Sequence, residues 1–518
     1  MRTKFLSYRY LLIIIMALFL TACNEDFLDK NPLNSVSGEI FWANEADATT
    51  ALNGVYSRLQ QNFLGYERVY LDGLSDNAYL DPGNGNQPNM TNMTTGSISP
   101  GLSGAMANMY SSPYRAITSC NYFLDNIGKV PDMAESTKEK YTAEVRFIRA
   151  LCYFDLVQSF GGVIIYRNFP KTLEDAKIAK STQEEVYAFI EEDLNFAISR
   201  LPDEKYTGHA VKGSAQGLLG RVLITQQKWA EAATVLKQIM DSGKFGLSNS
   251  YQDIFLTTGQ KNSNVNKEIM FSTKYLAPTN VHRTSPGSAG MNIELGWWSL
   301  MQPYPDLTTA YQMTDGLPTN ESPLFDPENP YLNRDPRMDM TIKTPGETWY
   351  NSVGAPWTGS YESYTGFLVE KYVDLSLAPF SASTATLTDQ DYVHLRYADV
   401  LLMYAEATNE ATGPATAVYD AIDEVRGRDG VNMPRVDRTR YNTKESLRDF
   451  IRNERRVELA LEGQRYNDLK RWRIAHVKLP TLETPAGDPL VFEEKNYILP
   501  FQTSELDNNP NLIQNSGY

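Results

Sequence analysis

The stretch VKGSAQGLLGRVLITQQKWAEAATVLKQIMDS, residues 211–242, reads as two helices folded back on each other. Gly217, Leu218 and Gly220 leave room for close approach in the first half, and Trp229, Ala232 and Ala233 open the second. Helical periodicity extends in both directions from this hairpin. Residues 44–61 place Ala48, Leu52, Val55 and Leu59 on one face, and residues 110–127 return to helix. Residues 142–160 turn Val145, Ile148, Leu151 and Leu156 inward and stop at Gly161-Gly162. Residues 182–201 follow, with Ser181 as the cap and Glu184 three positions on. Downstream, residues 392–412 are apolar nearly all round, which predicts a deeply buried helix; residues 414–426 and 444–462 continue the pattern. Between these blocks, residues 245–390 are crowded with Pro, Gly, Thr, Trp and Tyr, and predict loops with a few short strands and helices. Residues 62–103, rich in Gly, Asn, Pro and Thr, read as a long surface excursion, and the C-terminal tail as extended.

The hairpin resembles a tetratricopeptide unit, with small residues where two helices touch and a large one sealing the end. The fold expected is mainly α: tetratricopeptide-like helical pairs packed against an irregular, loop-rich C-terminal part. The N-terminus carries a different signal. Arg2, Lys4 and Arg9 precede an unbroken apolar run over residues 11–20, too short to cross a bilayer but suited to a signal peptide. Leu20-Thr21-Ala22-Cys23 then resembles a bacterial lipobox, which implies cleavage before Cys23 and acyl chains, palmitate among them, on its sulfur and new amine. The expected organisation is a signal peptide over 1–22, a lipidated tether over 23–43, a helical part over 44–245 and a C-terminal part over 246–518. Cleavage removes three basic residues and no acidic one from a net charge of −15, leaving −18. Such a surface argues against nucleic acid as a partner. Cys120 and Cys152 sit in apolar helical patterns and read as two buried thiols, with a disulfide as the alternative.

Catalytic and metal motifs are scarce. His209, His282, His394 and His476 lack metal-site spacing, and neither H-E-x-x-H nor G-x-S-x-G occurs. Gly83-Asn84-Gly85 begins a dinucleotide-like pattern, but Pro88 stands where the last glycine belongs. The segment 81–89 has only the composition of a calcium loop, with Gly83 and Gly85 where oxygen ligands are needed. No metal or cofactor is expected, and no carboxylate pair announces a glycosidase. Glu454 interrupts the apolar face of Leu447, Phe450, Val457 and Leu461. A buried carboxylate needs a cationic partner, so Glu454 reads as one half of a structural ion pair with Arg465, ahead of Arg471 and Arg396; a catalytic role is the alternative.

Aromatic residues give the better functional lead. The chain holds 31 Tyr and 7 Trp, and many fall in loop-like segments where a core has less use for them. Tyr66, Tyr70 and Tyr79 lie in the first excursion; Trp297, Trp298 and Tyr304 in the second; Trp349, Tyr350, Trp357, Tyr361 and Tyr364 further on. Exposed rings stack on the C–H faces of sugars while nearby polar groups such as Asn77 bond the hydroxyls. The competing reading is that these rings seal loops onto the helical core.

An ordered set of segments resembles the SusD/RagB family of outer-membrane nutrient-binding lipoproteins. It includes Asp26-Phe27-Leu28-Asp29, Ala143 to Gly162 with Arg146, Arg149 and Gly161, Asp315-Gly316, and Arg334-Asp335-Pro336-Arg337. It continues through Leu395-Arg396-Tyr397-Ala398-Asp399, Glu454-Arg455-Arg456-Val457-Glu458, Glu462-Gly463, Arg465, Asp468-Leu469 and Arg471-Trp472, and ends on Asn509-Pro510-Asn511-Leu512. The resemblance implies four tetratricopeptide-like pairs and no catalysis. It implies a lid on a SusC-like TonB-dependent β-barrel at the outer face of the outer membrane, capturing an oligosaccharide or polysaccharide and delivering it for uptake. Asn24-Glu25-Asp26 resembles the acidic export signal of surface lipoproteins. Ser75-Asp76-Asn77-Ala78-Tyr79 resembles the first loop of the family's aromatic arc, and Gly296-Trp297-Trp298 the second; Tyr304 and Trp357 complete the expected ligand contacts. RagB-type members handle peptides, so a peptide ligand is the alternative, and a surface glycoside hydrolase a third.

Because acyl chains alone would supply the membrane affinity, Cys23→Ala is expected to release the protein from membranes or stall its processing. Fractionation of cells lacking any partner barrel checks this; unchanged membrane retention at normal mature size contradicts it.

Overall fold

The computed structural model describes residues 41–82, 89–282, 290–347, 363–377 and 388–518. Cys23, its leader, the tether through residue 40, the segment 83–88 and Trp357 lie outside the described residues. The principal helices are α1 (Glu45–Ser57), α2 (Ala105–Asn126), α3 (Glu135–Phe160), α4 (Gln183–Arg200), α5 (Lys212–Thr225), α6 (Trp229–Ser242), α7 (Tyr397–Thr412), α8 (Thr416–Arg426) and α9 (Lys444–Glu458). Successive helices pack side by side from α1 through α7, and α7 then carries both α8 and α9. The array therefore runs past residue 245: α6 lies against α7, and the chain between them, residues 243–396, leaves the array and returns to it. Among the described residues no helix is long and apolar enough to cross a membrane.

The glycines of the hairpin act as read. A Cβ on Gly220 would fall 2.4 Å from Leu236 of α6, and one on Gly217 would fall 2.3 Å from Leu395. Cys120 and Cys152 are both buried free thiols. The cap of α4 is Thr182, one residue later than expected: its hydroxyl accepts from the Glu185 N–H while Glu185 accepts from the Thr182 N–H.

Three larger differences from the sequence expectations concern residues 62–80, residues 392–396 and the partner of Glu454. First, residues 62–80 are not a surface excursion. The 3-10 turn Tyr66–Leu74 is buried throughout, and so is β1 (Ala78–Leu80). Its polar residues are satisfied internally, with Arg68 forked onto Asp155 at 2.7 Å and Asn77 donating to Asp72 at 2.7 Å. Second, residues 392–396 are not helix. The excursion contributes β2 (Ile269–Thr273), β3 (Met301–Pro303), β4 (Ile342–Lys343) and β5 (Leu368–Val369), and β6 (Tyr392–Arg396) closes it. β6 pairs antiparallel with β2, β1 with β3 and β4 with β5. β6 is buried on both faces, and a short apolar run of that kind carries no period to separate strand from helix.

Third, the partner of Glu454 is not Arg465. Glu454 is 3% exposed, as its helix phase requires, but it meets Arg337 at 2.7 Å and Arg426 at 2.8 Å. The chain reverses through Leu461 and Gly463, both with positive φ (64° and 71°), and carries Arg465 to Asp76 instead, at 2.7 and 2.8 Å. Glu454 belongs to a larger buried assembly. Arg337 also binds Asp335 and Glu458; Arg396 binds Glu268, Glu458 and Glu462; Arg428 binds Glu268 and Glu458; Lys371 binds Glu462. Five cations thus face five carboxylates, a neutral set with every side chain under 10% exposed.

Burial alone would raise the Glu454 carboxyl, but Arg337 and Arg426 outweigh it and hold it below the ordinary range. At Asp399, burial is likewise overcome by Arg221 and Arg455, which hold that carboxyl at about 2. Glu454→Ala is expected to lose about 3–5 kcal/mol of stability, since it strips a desolvated guanidinium of its carboxylate; a large drop in melting temperature checks it. Both carboxyls have folded values below the unfolded value of about 4. Their contribution is therefore complete above about pH 4 and is lost as pH falls towards 2. Denaturant melts stepped from pH 5 to 2 are expected to show that decline, and Asp399→Asn to flatten it.

Candidate ligand-binding site

Three loops converge on β1. The segment Ser75-Asp76-Asn77 leads from the buried 3-10 turn into β1, which pairs with β3 in the register Ala78↔Pro303, Tyr79↔Gln302 and Leu80↔Met301. The Asp81 N–H donates to the Leu300 carbonyl at 3.1 Å and the Tyr304 N–H to the Asn77 carbonyl at 2.9 Å, extending the ladder at both ends. Directly paired residues share a face, so Gln302 lies beside Tyr79. Its Oε1 accepts from the Tyr364 N–H at 2.7 Å, the Thr365 N–H at 3.3 Å and the Ser363 hydroxyl at 3.2 Å. That places the Tyr364 ring 6.2 Å from Tyr79, edge to face, with Tyr304 backing Tyr79 at 6.4 Å. Tyr364 is 66% exposed.

The third loop is a single π-helical turn, Asn292–Trp297, a conformation that recurs at functional sites. Glu294, at its centre, is fully buried and accepts the hydroxyls of Tyr66 at 3.1 Å and Tyr70 at 2.7 Å. Tyr66 in turn stacks on His282 at 4.1 Å. The turn is closed by the Trp298 N–H on the Ile293 carbonyl at 2.8 Å and the Leu300 N–H on the Glu294 carbonyl at 3.0 Å. Trp298 emerges 42% exposed, just upstream of β3. Trp298 and Tyr364 are thus exposed rings, one just upstream of the strand that pairs with β1 and the other in edge contact with Tyr79.

The platform rests on α9 and on α10 (Arg465–Arg471). Arg456 donates to the Asn77 side chain at 3.0 Å, to the Asp76 carbonyl at 2.7 Å and to Asp306 at 2.8 Å. The Gly463 N–H donates to Asp72. Burial raises the Asp72 carboxyl to about 7, against the hydrogen bonds from Asn77 and Gly463. Burial also raises the Tyr79 hydroxyl, and the charges of Asp81 and Asp488 push it further, to about 12. Among the described residues, no three His, Cys, Asp or Glu side chains are grouped to hold a metal ion.

The residues expected at the site divide. Trp298 is on the surface. Tyr79 is 8% exposed and Tyr304 4%, so both are buried, with Tyr304 in edge contact with Tyr79. Asn77 is fully buried, with its amide committed to Asp72 and Arg456; it shapes the loop from inside. Trp297 belongs to the π turn by its backbone. Trp349, Tyr350, Trp357 and Tyr361 lie outside the described residues. Tyr66 and Tyr70 are core residues whose hydroxyls serve Glu294. Glu294 and Gln302 were not apparent from sequence; the sole clue was a polar residue inside a short apolar run.

A model described as "SusD family" matches residues 254–518, more than half of the chain, and one described as "Starch-binding associating with outer membrane" matches residues 26–224. The chain belongs to the SusD family. SusD-like protein P2 of Formosa agariphila is 26% identical, the match covering 98% of each chain. Starch-binding protein SusD of Bacteroides thetaiotaomicron is 27% identical, with 78% of this chain and 76% of that one covered. Among solved structures, a SusD-like carbohydrate-binding protein from Bacteroides fragilis superposes with a TM-score of 0.77 at 28% identity, covering 92% of this chain and all of that one. A laminarin-binding SusD-like protein superposes with a TM-score of 0.69 at 25% identity over the same shares. The SusD-type helical fold and the ordered motifs agree with this membership. The motif residues Glu454, Arg456, Glu458, Glu462 and Arg465 are those that build the ionic assembly and seat the 72–77 loop.

Support and surface separate experimentally. Glu294→Ala leaves two buried hydroxyls without their acceptor and is expected to cost about 2–4 kcal/mol. Tyr364→Ala, at an exposed ring, is expected to leave the melting temperature unchanged. Parallel thermal melts check both.

Proposed function

We propose that this protein is a surface-exposed lipoprotein of the outer membrane, anchored through Cys23, that captures a glycan and passes it to a SusC-like TonB-dependent barrel for uptake, without cleaving it. The observation that carries the reading is the pair of exposed rings, Trp298 on the segment that leads into β3 and Tyr364 against Tyr79, whose loops are held by buried hydrogen bonds. Rigid rings whose backbones are fixed before the ligand arrives lose little freedom on binding, and their faces match the C–H faces of pyranose rings. The starch-binding and laminarin-binding relatives support a glycan over a peptide. The family description places its members in association with the outer membrane, which supports the location.

Calorimetry of the lipid-free mature chain against a panel of soluble glycans tests the reading. Trp298→Ala and Tyr364→Ala are each expected to weaken the best ligand about ten-fold, equivalent to about 1.4 kcal/mol, at unchanged melting temperature. Chromatography of the glycan after incubation is expected to show no shortened products. Binding that survives both substitutions, or binding of peptides alone, overturns it.

A further inference from the structure

The Gln302 side chain touches both ring-bearing segments. It is 1% exposed and lies opposite Tyr79 in the β1–β3 pair. Its Nε2 donates to the Ser299 carbonyl at 3.0 Å, and its Oε1 accepts from the Tyr364 and Thr365 N–H groups at 2.7 and 3.3 Å. These partners fix the orientation of the amide, since a flip would set its NH2 against two N–H donors and its oxygen against a carbonyl. Each end holds a sharp corner. Ser299, the residue after Trp298, is buried with a φ of 52°, in the left-handed region that residues other than glycine seldom adopt, and it makes the corner between the π turn and β3. In the other segment Gly366 turns with a φ of 84°. Its N–H donates to the Ser363 hydroxyl at 3.1 Å, which donates in turn to the Phe367 carbonyl at 2.7 Å. Hydrogen bonds to one buried amide therefore join the Tyr364 backbone to the residue next to Trp298.

We infer that Gln302 is a positioning residue, its side-chain amide fixing the Trp298 and Tyr364 rings relative to each other so that one glycan chain engages both. This deepens the glycan-binding reading and rests on it. Buried as it is, Gln302 has no surface to offer a ligand, and it acts through the rings. A second ring adds its full stacking contribution only if it already stands where the next sugars arrive; a ring that must be ordered first returns part of the gain as lost freedom. Two contacts on one ligand reinforce each other only when their spacing matches it. A bridging amide suits this task because its partners are shielded from water, where an unpaired donor or acceptor is costly, so neither end is released readily.

The test titrates a ladder of oligosaccharides, from the disaccharide upward, against the lipid-free mature chain by calorimetry, with laminarin and starch fragments first and then those of any other glycan that binds. Affinity is expected to step up about ten-fold at the length that first reaches the second ring, and Trp298→Ala or Tyr364→Ala to remove the step. Gln302→Met keeps the length of the side chain and removes both polar ends. It is expected to shrink the step to under about three-fold, the loss falling on ligands long enough to reach both rings and being smaller for shorter ones. Gln302→Glu keeps an acceptor for the two N–H groups but, when ionised, has no donor for Ser299, and is expected to shrink the step likewise. A general loosening of the fold would weaken short and long ligands alike, so equal losses at every length overturn the inference. A step that survives both Gln302 variants overturns it too, as does a wild-type chain that binds glycans with no step. If neither variant folds, Gln302 is a core residue and not a positioning one, and the inference falls. The glycan reading survives each of these results. Only if no glycan binds at all does that reading fall, and this inference with it.

Discussion

Arg396 and Glu458 meet at 2.6 Å with both side chains essentially out of contact with solvent, and the rest of the molecule is arranged around that contact. Taking such ions out of water costs several kcal/mol each, and a lone pair rarely recovers it. Here the cost is offset by extension of the contact. Arg396 forks onto Glu462 and Glu268, and Glu458 is shared with Arg337 and Arg428. The ten members come from six stretches of chain: the segment before β2, the loop of Asp335 to Arg337, Lys371 after β5, the end of β6, the end of α8 with the residue Arg428 beyond it, and α9 with Glu462 beyond it. Every charge is neutralised only when all of those stretches are in place. The assembly therefore specifies one arrangement of helical array and excursion rather than simply adding stability.

Helix α9 transmits that arrangement to the surface. Its consecutive residues Glu454, Arg455 and Arg456 face three directions, towards Arg337 and Arg426, towards Asp399 and Asp468, and towards the loop of Asp76 and Asn77. The aromatic platform is thus one helical turn from the ionic assembly. Its precision comes from buried polar contacts, with Gln302 gathering the Tyr364 loop and Glu294 gathering the π turn. The two rings at the surface, Trp298 and Tyr364, are the exposed ends of loops whose bases are fixed in this way.

The helical array was legible in the sequence because its signals are local. Gly217 and Gly220, the inward face of Val145, Ile148 and Leu151, and the stop at Gly161 follow from spacing alone. The family markers were legible as markers, and the burial of Glu454 followed from its helix phase. What stayed hidden was non-local. Nothing between Glu454 and Arg465 reveals that Leu461 and Gly463 reverse the chain, so a neighbour in sequence was chosen over Arg337 and Arg426. Loop-like composition suggests exposure at Asn77 and Tyr304, yet both are buried. The same composition is equally that of a buried segment whose polar groups are paired, as Arg68, Asp72 and Asn77 are. Of the aromatic residues in loops, Tyr66 and Tyr70 are buried, and Trp298 and Tyr364 are exposed; composition does not distinguish the two kinds.

The contact between α6 and α7 has a consequence for how the chain reaches this structure. These helices are neighbours in space but are separated by residues 243–396. Bringing the ends of about 150 residues together carries a loop-closure entropy of about 4 kcal/mol beyond that of a tight turn. No local signal repays it until β2 and β6 have paired and their flanking ions have been buried. The helices from α1 to α6 can condense from contacts close in sequence, as α-rich segments do quickly. The docking of α7 on α6, unlike the contacts of α7 with α8 and α9, therefore depends on the folding of the whole detour between them.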